Sequence, residues 1–395
     1  MAEHRDVSTE RPPALERLPL SIPFNKPRLE GREFEYMAQA VRQGHISGDG
    51  SFTKRCQALL EEVLHSHRVL LTTSCTHALE MTALLLNLEP GDEVIVPAFS
   101  FVSTVNAYVL RGARPVFADV RPDTLNLDES QLPGLISPRT RAIVVVHYAG
   151  VGAEMDPILS FASEHEISVV EDNAHGLFGR YRGRWLGTLA PLATMSFHET
   201  KNFSCGEGGA LSVNDPAFAD RAEILREKGT DRSRFFRGQV DKYTWVDLGS
   251  SYVISDLLAA YLLAQLEARE TIQAARRRIW QTYAAGLAAW AAEHGVGLPT
   301  VPEHCEPTHH LFYLMLPSIE SRTRLIDHLR SRGILGVFHY QSLNLAPMGL
   351  RFGGRRGDCP VSERASDCLV RLPIYNSLAP DEQERVIEAI LACPV

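Results

Sequence analysis

The first half of the chain alternates short apolar runs with longer segments whose apolar residues recur at helical spacing. The short runs predict strands over 68–72, 93–96, 115–118, 142–146 and 167–170. The longer segments predict helices over 28–43, 52–64, 77–86, 101–111, 128–136 and 155–164. Strands that alternate with helices in this way predict an α/β fold with a mainly parallel sheet covered on both faces.

The second half of the chain shows a different pattern. Residues 255–293 are rich in Ala, Leu and Arg and contain no proline, which predicts one long bent helix or two consecutive helices. Beyond them, strand-like runs at 310–316 and 336–339 alternate with helical spacing at 320–332 and 380–392. This second alternation predicts a small α/β domain.

The pattern divides the chain into three parts. Residues 1–20 contain charges and prolines without an apolar core, so we expect a flexible surface arm and no signal peptide. Residues 21–255 are expected to form a large domain, and 256–395 a linking helix with a small C-terminal domain. A chain of 395 residues is long enough for two domains of ordinary size.

Composition and charge narrow the range of functions. The chain is 45% hydrophobic and 22% charged, as is usual for a globular protein, and its formal net charge is -8. Because no long basic stretch is present, nucleic acid and anionic membrane are poor candidates for partners. The seven cysteines are scattered without CxxC spacing, which favours reduced thiols and a cytoplasmic location over a disulfide framework or a zinc site. No apolar stretch approaches the ~20 residues that a membrane span needs.

Two residues indicate a specific chemistry. Asp172 closely follows one apolar run, and Lys201 follows the next apolar run at 193–196. A lysine amine can condense with the aldehyde of pyridoxal 5'-phosphate, and a carboxylate can keep the pyridine nitrogen protonated so that the ring accepts electrons. Taken singly, Lys201 would be a solvated surface charge and Asp172 an acid that caps the next element. Their positions after buried strands, with glycines at 206, 208 and 209 that let backbone approach a ligand, favour the cofactor.

Three nearby groups of residues can complete a cofactor site. Ser74, Cys75 and Thr76 precede a predicted helix, whose N-terminus can hold a phosphate; the alternative is an ordinary helix cap. Cys75 would act through its backbone, because no histidine and acid pair with it as they would with a nucleophile. Phe101 is either a core aromatic or a plate stacked on the cofactor ring. His175 is either a surface-loop histidine or a donor to the phenolic oxygen of the ring.

Longer stretches of the chain resemble a known family. These stretches are 22–27, 47–50, 91–95, 146–150, 196–202, 226–230 and 235–245. From Pro23 to the C-terminus, the chain resembles the DegT/DnrJ/EryC1/StrS sugar aminotransferases, which are pyridoxal phosphate enzymes of fold type I (aspartate aminotransferase-like). Within the family it looks most like the subgroup that makes dTDP-4-amino-4,6-dideoxygalactose for enterobacterial common antigen.

The resemblance implies a role for each candidate residue. Lys201 would bind the cofactor and carry a proton from Cα of the amino donor, and Asp172 would pair with the pyridine nitrogen. His175 would lie beside the ring hydroxyl, and Phe101 would stack on the ring. The phosphate would be held by Cys75, Thr76 and Ser196. The family is generally dimeric, with each active site completed by the partner chain, so a homodimer with shared sites is expected.

The chain departs from the family pattern at two places. Many relatives carry an asparagine that reaches the partner's phosphate, whereas this chain has Ser251, whose shorter side chain can still hydrogen-bond phosphate. A second motif, often His-Tyr-x-Pro-Leu-His, begins here with His339 and Tyr340 but lacks the proline and the second histidine. His339, Tyr340 and Lys26 are candidates for substrate contact, and the alternative is that they are surface or packing residues.

The function that the resemblance implies is amino transfer from glutamate to a nucleotide-linked 4-keto-6-deoxyhexose. The specific reaction would convert dTDP-4-keto-6-deoxyglucose to dTDP-4-amino-4,6-dideoxygalactose. One alternative is the same chemistry on a UDP-linked keto-sugar or a keto-cyclitol, and another is a non-catalytic protein that binds pyridoxal phosphate or a nucleotide-sugar. Family members that act as dehydratases carry histidine in place of the lysine, so Lys201 argues against that branch.

Overall fold

The computed structural model describes residues 21–394, so the arm predicted over 1–20 lies outside the described residues. The α-helices span Glu33–Arg42 (α1), Ser51–Leu64 (α2), Cys75–Leu85 (α3), Val102–Val109 (α4), Leu132–Leu135 (α5), Met155–Glu164 (α6), Ala219–Arg226 (α7), Arg232–Phe236 (α8), Asp256–Glu267 (α9), Arg269–His294 (α10), Ile319–Ser331 (α11), Pro347–Arg351 (α12), Pro360–Cys368 (α13) and Pro380–Leu391 (α14). The strands span Arg68–Thr72 (β1), Glu93–Pro97 (β2), Arg114–Ala118 (β3), Thr140–Val146 (β4), Ser168–Asp172 (β5), Arg180–Tyr181 (β6), Arg184–Trp185 (β7), Leu192–Ser196 (β8), Gly209–Val213 (β9), Cys305–Glu306 (β10), Tyr313–Met315 (β11) and Leu369–Arg371 (β12).

The main sheet of the described chain has seven strands in the order β1-β9-β8-β5-β4-β2-β3. Every neighbouring pair is parallel except the two pairs made by β9, which runs antiparallel to β1 and to β8. The prediction of a mainly parallel sheet is therefore confirmed. Its central strands are rich in β-branched residues and buried on both faces, as in β4, and this is why they appear in the sequence as continuous apolar runs.

Alternate residues of each strand bury against helices on opposite faces of the sheet. In β1, Val69 and Leu71 pack in the cluster formed with α2 and α9, whereas Leu70 packs with α3 and α7. Burying each such side chain contributes roughly 1.5–3 kcal/mol. This packing fixes the height and direction of each strand, and therefore the positions of the residues at which the strands end.

Three predicted elements differ clearly from the structure. The first helix begins at Glu33 and not at 28, because the Glu33 carboxylate accepts hydrogen bonds from the backbone of Glu30 and Gly31 at 2.7 and 2.9 Å, outside a helix. The helix predicted over 128–136 is a 3-10 turn followed by the short α5. The predicted strand at 336–339 is wrong, since only a single bridge joins Val337 to Arg371. Of the two arrangements predicted for the long helical stretch, the structure has the second, two consecutive helices, α9 and α10.

A second hydrophobic core lies between α10, α11, α14 and the two strands β11 and β12. Ile22, near the beginning of the described chain, is fully buried in this core. The helix α9 instead packs with α1 and α2 against the main sheet. The division of the chain at 255/256 stays a prediction. In the part of the chain that the structure describes, no helix is both long and apolar enough to cross a membrane.

Candidate active site

A cavity of about 740 Å³ lies where the parallel strands end. Val146, Asp172 and Ser196 are the last residues of β4, β5 and β8, and all three line the cavity. The opposite wall comes from residues 335–340 together with residues near β11 and β12. Ligands of open α/β sheets bind at the carboxyl ends of the strands, so this is the expected place for an active site.

Lys201 lies in the loop that follows β8, and its side chain lines the cavity. The backbone N–H of Lys201 donates to the carbonyl of His198 at 2.9 Å, which fixes the turn that carries it. Burial lowers the pKa of the Lys201 amine to about 8, although the nearby Cys75 and Asp172 act in the opposite direction. A substantial fraction of the amine is therefore uncharged and nucleophilic near neutral pH.

Asp172 is 5% exposed and is held by two hydrogen bonds. Its Oδ2 accepts from the Thr104 hydroxyl at 2.7 Å, and its Oδ1 accepts from the Ala174 backbone N–H at 3.2 Å. Burial raises the pKa of the carboxyl, while these hydrogen bonds and the charge of Lys201 lower it. A cationic N–H facing this carboxylate would stabilise its charged form, as a pyridinium would.

His175 is buried at the floor of the cavity, which excludes the surface-loop alternative. Its ring lies 4.2 Å from that of His310, and its Nε2 lies 3.5 Å from the Tyr340 hydroxyl. Burial and, secondarily, the charge of Lys201 hold the pKa of His175 well below its usual value, so the imidazole is neutral. Among the described residues its buried Nδ1 has no hydrogen-bond partner, and a bound ligand would supply one.

The N-terminus of α3 forms another wall of the cavity. Ser74 caps this helix, and its Oγ accepts from a backbone N–H of the first turn at 3.1 Å. Cys75 and Thr76 follow at the first two helical positions, where N–H groups and the helix dipole favour an anion. Burial raises the pKa of the Cys75 thiol, in agreement with a backbone role. A Cβ at Gly209 would lie 2.3 Å from the Cys75 nitrogen, so β9 and this helix start are in close contact.

Phe101 and Ser196 complete the part of the cavity nearest the sheet. Phe101 follows β2 and is 57% exposed, so it is not a core aromatic. Its ring stands 6.2 Å from the ring of Tyr340 across the cavity wall. The Ser196 hydroxyl accepts from the His198 backbone N–H at 3.5 Å and lines the cavity beside the α3 N-terminus.

The structure places His339 and Tyr340 in the cavity wall, with their rings stacked 3.5 Å apart. The Nδ1 of His339 is hydrogen-bonded to the Tyr148 hydroxyl at 2.7 Å. Lys26 is exposed and does not line this cavity; it borders a smaller depression on the other side of Lys201.

Ser251 also lies outside the cavity. It is exposed and forms a single antiparallel bridge with Glu227. Its neighbour Tyr252 accepts from the backbone N–H of Thr73 at 2.9 Å, which places Ser251 close to the segment before α3 but on the outside of the chain.

Among the cavity residues that were not identified from the sequence are Thr104, His310 and Arg371. Tyr148, whose hydroxyl is hydrogen-bonded to His339, was not identified either. Thr104 lies one turn after Phe101 on α4, so the segment already selected for Phe101 contained a signal for it. His310 and Arg371 come from the far end of the chain and reach the site only through tertiary folding. Nothing in their local sequence distinguishes them from other histidines and arginines.

Comparison with known proteins identifies the family. Residues 27–391 match the DegT/DnrJ/EryC1/StrS aminotransferase family. The chain is 30% identical over 379 residues to the spore coat polysaccharide biosynthesis protein SpsC of Bacillus subtilis, covering 93% of this chain and 96% of SpsC. The match therefore spans nearly the whole of both proteins.

Solved structures of two proteins are similar over nearly the whole chain. DesV of S. venezuelae, solved in complex with a ketimine intermediate, superposes with a TM-score of 0.86 at 30% identity, covering 95% of this chain and 98% of DesV. Spr1654 of Streptococcus pneumoniae, solved in its PMP-form, superposes with a TM-score of 0.87 at 26% identity, covering 94% and 98%. Its PLP-form gives a TM-score of 0.86 at the same identity, covering 93% and 97%.

These matches confirm the predicted fold class and cofactor, and they show the class of enzyme. The chain belongs to the DegT/DnrJ/EryC1/StrS aminotransferase family and is a pyridoxal phosphate-dependent sugar aminotransferase.

Proposed function

We propose that this enzyme transfers the amino group of glutamate to C4 of a nucleotide-linked 4-keto-6-deoxyhexose. The specific acceptor would be dTDP-4-keto-6-deoxyglucose, and the product dTDP-4-amino-4,6-dideoxygalactose, as made for enterobacterial common antigen. The observation that carries the amino-transfer part is the pairing of an amine of low pKa, Lys201, with a buried carboxylate, Asp172, in one cavity at the strand ends. The choice of sugar rests on the sequence resemblance, above all at 235–245.

The residues of the cavity fit pyridoxal phosphate. The start of α3, with Cys75, Thr76 and nearby Ser196, offers N–H groups and hydroxyls for a phosphate. Asp172 offers an acceptor for the pyridine nitrogen. The Nδ1 of His175 has no hydrogen-bond partner among the described residues, and the imidazole could hydrogen-bond to the phenolic oxygen of the cofactor through either of its nitrogens. The exposed Phe101 provides a flat surface for the ring.

The cofactor supplies an aldehyde that accepts the amine and a ring that stabilises negative charge at the adjoining carbon. The lowered pKa of Lys201 leaves part of its amine uncharged at physiological pH. The uncharged amine can remove the proton from Cα of the donor and deliver it to a neighbouring carbon. Asp172, fixed by the hydrogen bond from Thr104, would accept the pyridine N–H and so favour the protonated nitrogen. His175, whose lowered pKa keeps it neutral, would orient the ring without adding charge. The same residues, used in reverse, serve the sugar half-reaction.

His339, Tyr340 and Lys26 are proposed to contact the substrate. The first two line the cavity wall on the side away from α3, where a sugar can approach the reacting centre. Lys26 borders the smaller depression beside Lys201, so its contact would require a substrate group that extends past the loop.

The enzyme is proposed to be a cytoplasmic homodimer with shared active sites. Residues 235–248 carry several exposed apolar side chains, among them Phe236 at 70% and Trp245 at 77%, which a second copy would cover. Ser251 follows this surface and is exposed, as a residue that reaches the partner's phosphate must be. Light scattering should give the mass of a dimer, and Trp245→Ser should weaken the association. A monomer in solution with full cofactor affinity would contradict both the proposed dimer and the proposed sharing of active sites.

A panel of acceptors tests the sugar assignment. After glutamate has converted the cofactor to its amine form, each keto-sugar is added and the return of the aldehyde absorbance is followed. Return with dTDP-4-keto-6-deoxyglucose alone is expected. Return only with a UDP-linked keto-sugar or a keto-cyclitol would support amino transfer but show that the acceptor is a different substrate. If wild-type protein showed no spectral change with glutamate, the alternative function would be favoured, namely non-catalytic binding of pyridoxal phosphate or a nucleotide-sugar.

A further inference from the structure

His339 and Tyr340 belong to a segment that crosses from the strand pair β11 and β12 to the main sheet. At the beginning of the segment, Val337 exchanges two backbone hydrogen bonds with β12, at 3.1 and 2.7 Å. At its end, the backbone N–H of Leu343 donates to the carbonyl of Ala98, directly after β2, at 2.8 Å. The two cavity residues therefore lie between two anchors, one on each sheet.

Asn344 is fully buried and forms the rest of the second anchor. Its Nδ2 donates to the Glu363 carboxylate at 2.9 Å and to the Arg355 carbonyl at 3.0 Å. Its Oδ1 accepts from the Ser342 hydroxyl at 2.5 Å, and the side chain does not line the cavity. At the position where the related motif has its second histidine, this chain therefore has an amide that lies behind the cavity wall and supports it.

Glu363 is itself fixed to the main sheet. Both oxygens of its carboxylate accept from the backbone N–H of Gly357, at 2.9 and 3.1 Å. Glu363 lies in the first turn of α13, where the N–H groups of Val361 and Ser362 both donate to the Asp119 carboxylate at 2.8 Å. Asp119 directly follows β3 and is 2% exposed. A continuous hydrogen-bonded connection therefore runs from the main sheet through α13 to the second anchor.

The chain that follows the segment encloses the second anchor. A Cβ added at Gly349 would overlap the carbonyl of Leu343, and one added at Gly354 would overlap the carbonyl of Asn344. Backbone therefore packs directly on both carbonyls, so the anchor has little room to move while its hydrogen bonds are kept. Loss of the Asn344 amide would leave the Glu363 carboxylate without one of its buried donors, which is costly.

The shape of the cavity depends on where the segment holds Tyr340. The Tyr340 hydroxyl lies 3.5 Å from Nε2 of His175, and its ring centre lies 6.2 Å from that of Phe101. These contacts place Tyr340 against the two residues that are proposed to flank the cofactor ring. Asn344 comes only four residues after Tyr340, so a shift of the anchor would move the Tyr340 ring and the stacked ring of His339.

We propose that Asn344 is a positioning residue for the acceptor half-reaction. Through its hydrogen bond to Glu363, it holds His339 and Tyr340 where a keto-sugar can meet the cofactor. This inference rests on the proposed function, in which those two residues contact the keto-sugar. Lys201 lies on the loop after β8, apart from this anchor, so a change at Asn344 should leave the glutamate half-reaction largely intact.

The test exchanges the donor and the acceptor between the two side chains. Asn344→Asp keeps the shape but sets a second carboxylate against Glu363, whereas the double variant Asn344→Asp with Glu363→Gln restores an amide–carboxylate pair in the reverse direction. In Asn344→Asp, kcat/KM for the keto-sugar should fall about 10- to 100-fold, mainly through KM, because the groups that contact the sugar are misplaced. The double variant should recover most of this loss. Asn106→Asp, an exposed change on α4, controls for the added negative charge and should behave as wild type.

The glutamate half-reaction separates positioning from general damage to the fold. In Asn344→Asp it should change less than about threefold, roughly 0.65 kcal/mol. Equal losses in both half-reactions would overturn the inference, and so would a double variant that recovers nothing. If Asn344→Asp does not fold, Glu363→Gln alone takes its place, because it removes the charge of the acceptor and should give a smaller loss in the same half-reaction.

Hydrogen exchange measures the anchor without turnover. Backbone amides in 339–345 should exchange faster in Asn344→Asp than in wild type and Asn106→Asp, and the double variant should restore their protection. Unchanged exchange in this segment would overturn the inference. Wild-type protein that reacts with glutamate but with no keto-sugar would refute the proposed acceptor, while faster exchange in Asn344→Asp would still support the anchor.

Discussion

The low pKa of Lys201 leads to a quantitative prediction for the apoprotein. Lowering the pKa from 10.5 to about 8 raises the uncharged fraction of the amine at pH 7 roughly 300-fold. Only the uncharged amine attacks an aldehyde, so the rate at which apoprotein captures pyridoxal phosphate should follow that fraction. Burial favours the uncharged form of the amine, so the uncharged fraction increases as the pH rises through about 8. The rate of capture should therefore climb from pH 6 and level off above pH 8.

The assay mixes apoprotein with a small excess of pyridoxal phosphate and follows the absorbance of the adduct from pH 6 to 10. Lys201→Ala, treated identically, supplies the background from other amines and should show no saturating phase. Asp172→Asn removes a negative charge that raises the pKa of Lys201, so its midpoint should move below that of wild type. A wild-type midpoint near 10.5, or the same midpoint in Asp172→Asn, would refute the account of this cavity.

Further substitutions test the remaining parts of the site. Asp172→Asn should slow the glutamate half-reaction by about 100-fold or more, measured by stopped-flow absorbance, because a preorganised charge partner is lost; a loss under tenfold would contradict its role. Gly209→Ala should cost about 1–3 kcal/mol in thermal unfolding and weaken cofactor affinity, because its Cβ would meet the backbone before α3 at 2.3 Å. The control Gly134→Ala has open space and should be neutral or stabilise by about 0.4–1 kcal/mol; equal effects would contradict the steric argument. Phe101→Ala should weaken cofactor binding by about 0.5–1.5 kcal/mol in an equilibrium titration, and unchanged affinity would exclude stacking.

The elements with strong periodic signals were predicted to within a few residues. The strand at 68–72 has the predicted bounds, and the helix predicted over 155–164 spans Met155–Glu164. Both carry continuous apolar or helical patterns that match their burial. The antiparallel strand β9 was not predicted, because its five residues follow two glycines and nothing local shows that the chain turns back between β1 and β8.

The residues of the candidate site also fall into those that the local sequence could predict and those that it could not. Residues that follow strands in the sequence, such as Asp172, Lys201 and Phe101, could be selected because strand ends converge at one edge of a parallel sheet. His310 and Arg371 could not be selected in this way. They belong to the part of the chain that forms the second hydrophobic core, and they line the cavity only once the chain has folded, which no local sequence pattern encodes. The false strand at 336–339 shows the same limit, since those residues line the cavity and make only one bridge.

Whether the cavity transfers an amino group can be decided by one measurement, a single turnover of glutamate on the reconstituted enzyme. Absorbance is followed after mixing wild-type holoenzyme with glutamate, and 2-oxoglutarate is quantified at the end. The account predicts conversion of the cofactor to its amine form with one equivalent of 2-oxoglutarate per site, and none in Lys201→Ala that has been loaded with the same cofactor. No 2-oxoglutarate from wild type, or equal amounts from both proteins, would contradict the assignment of amino transfer to Lys201.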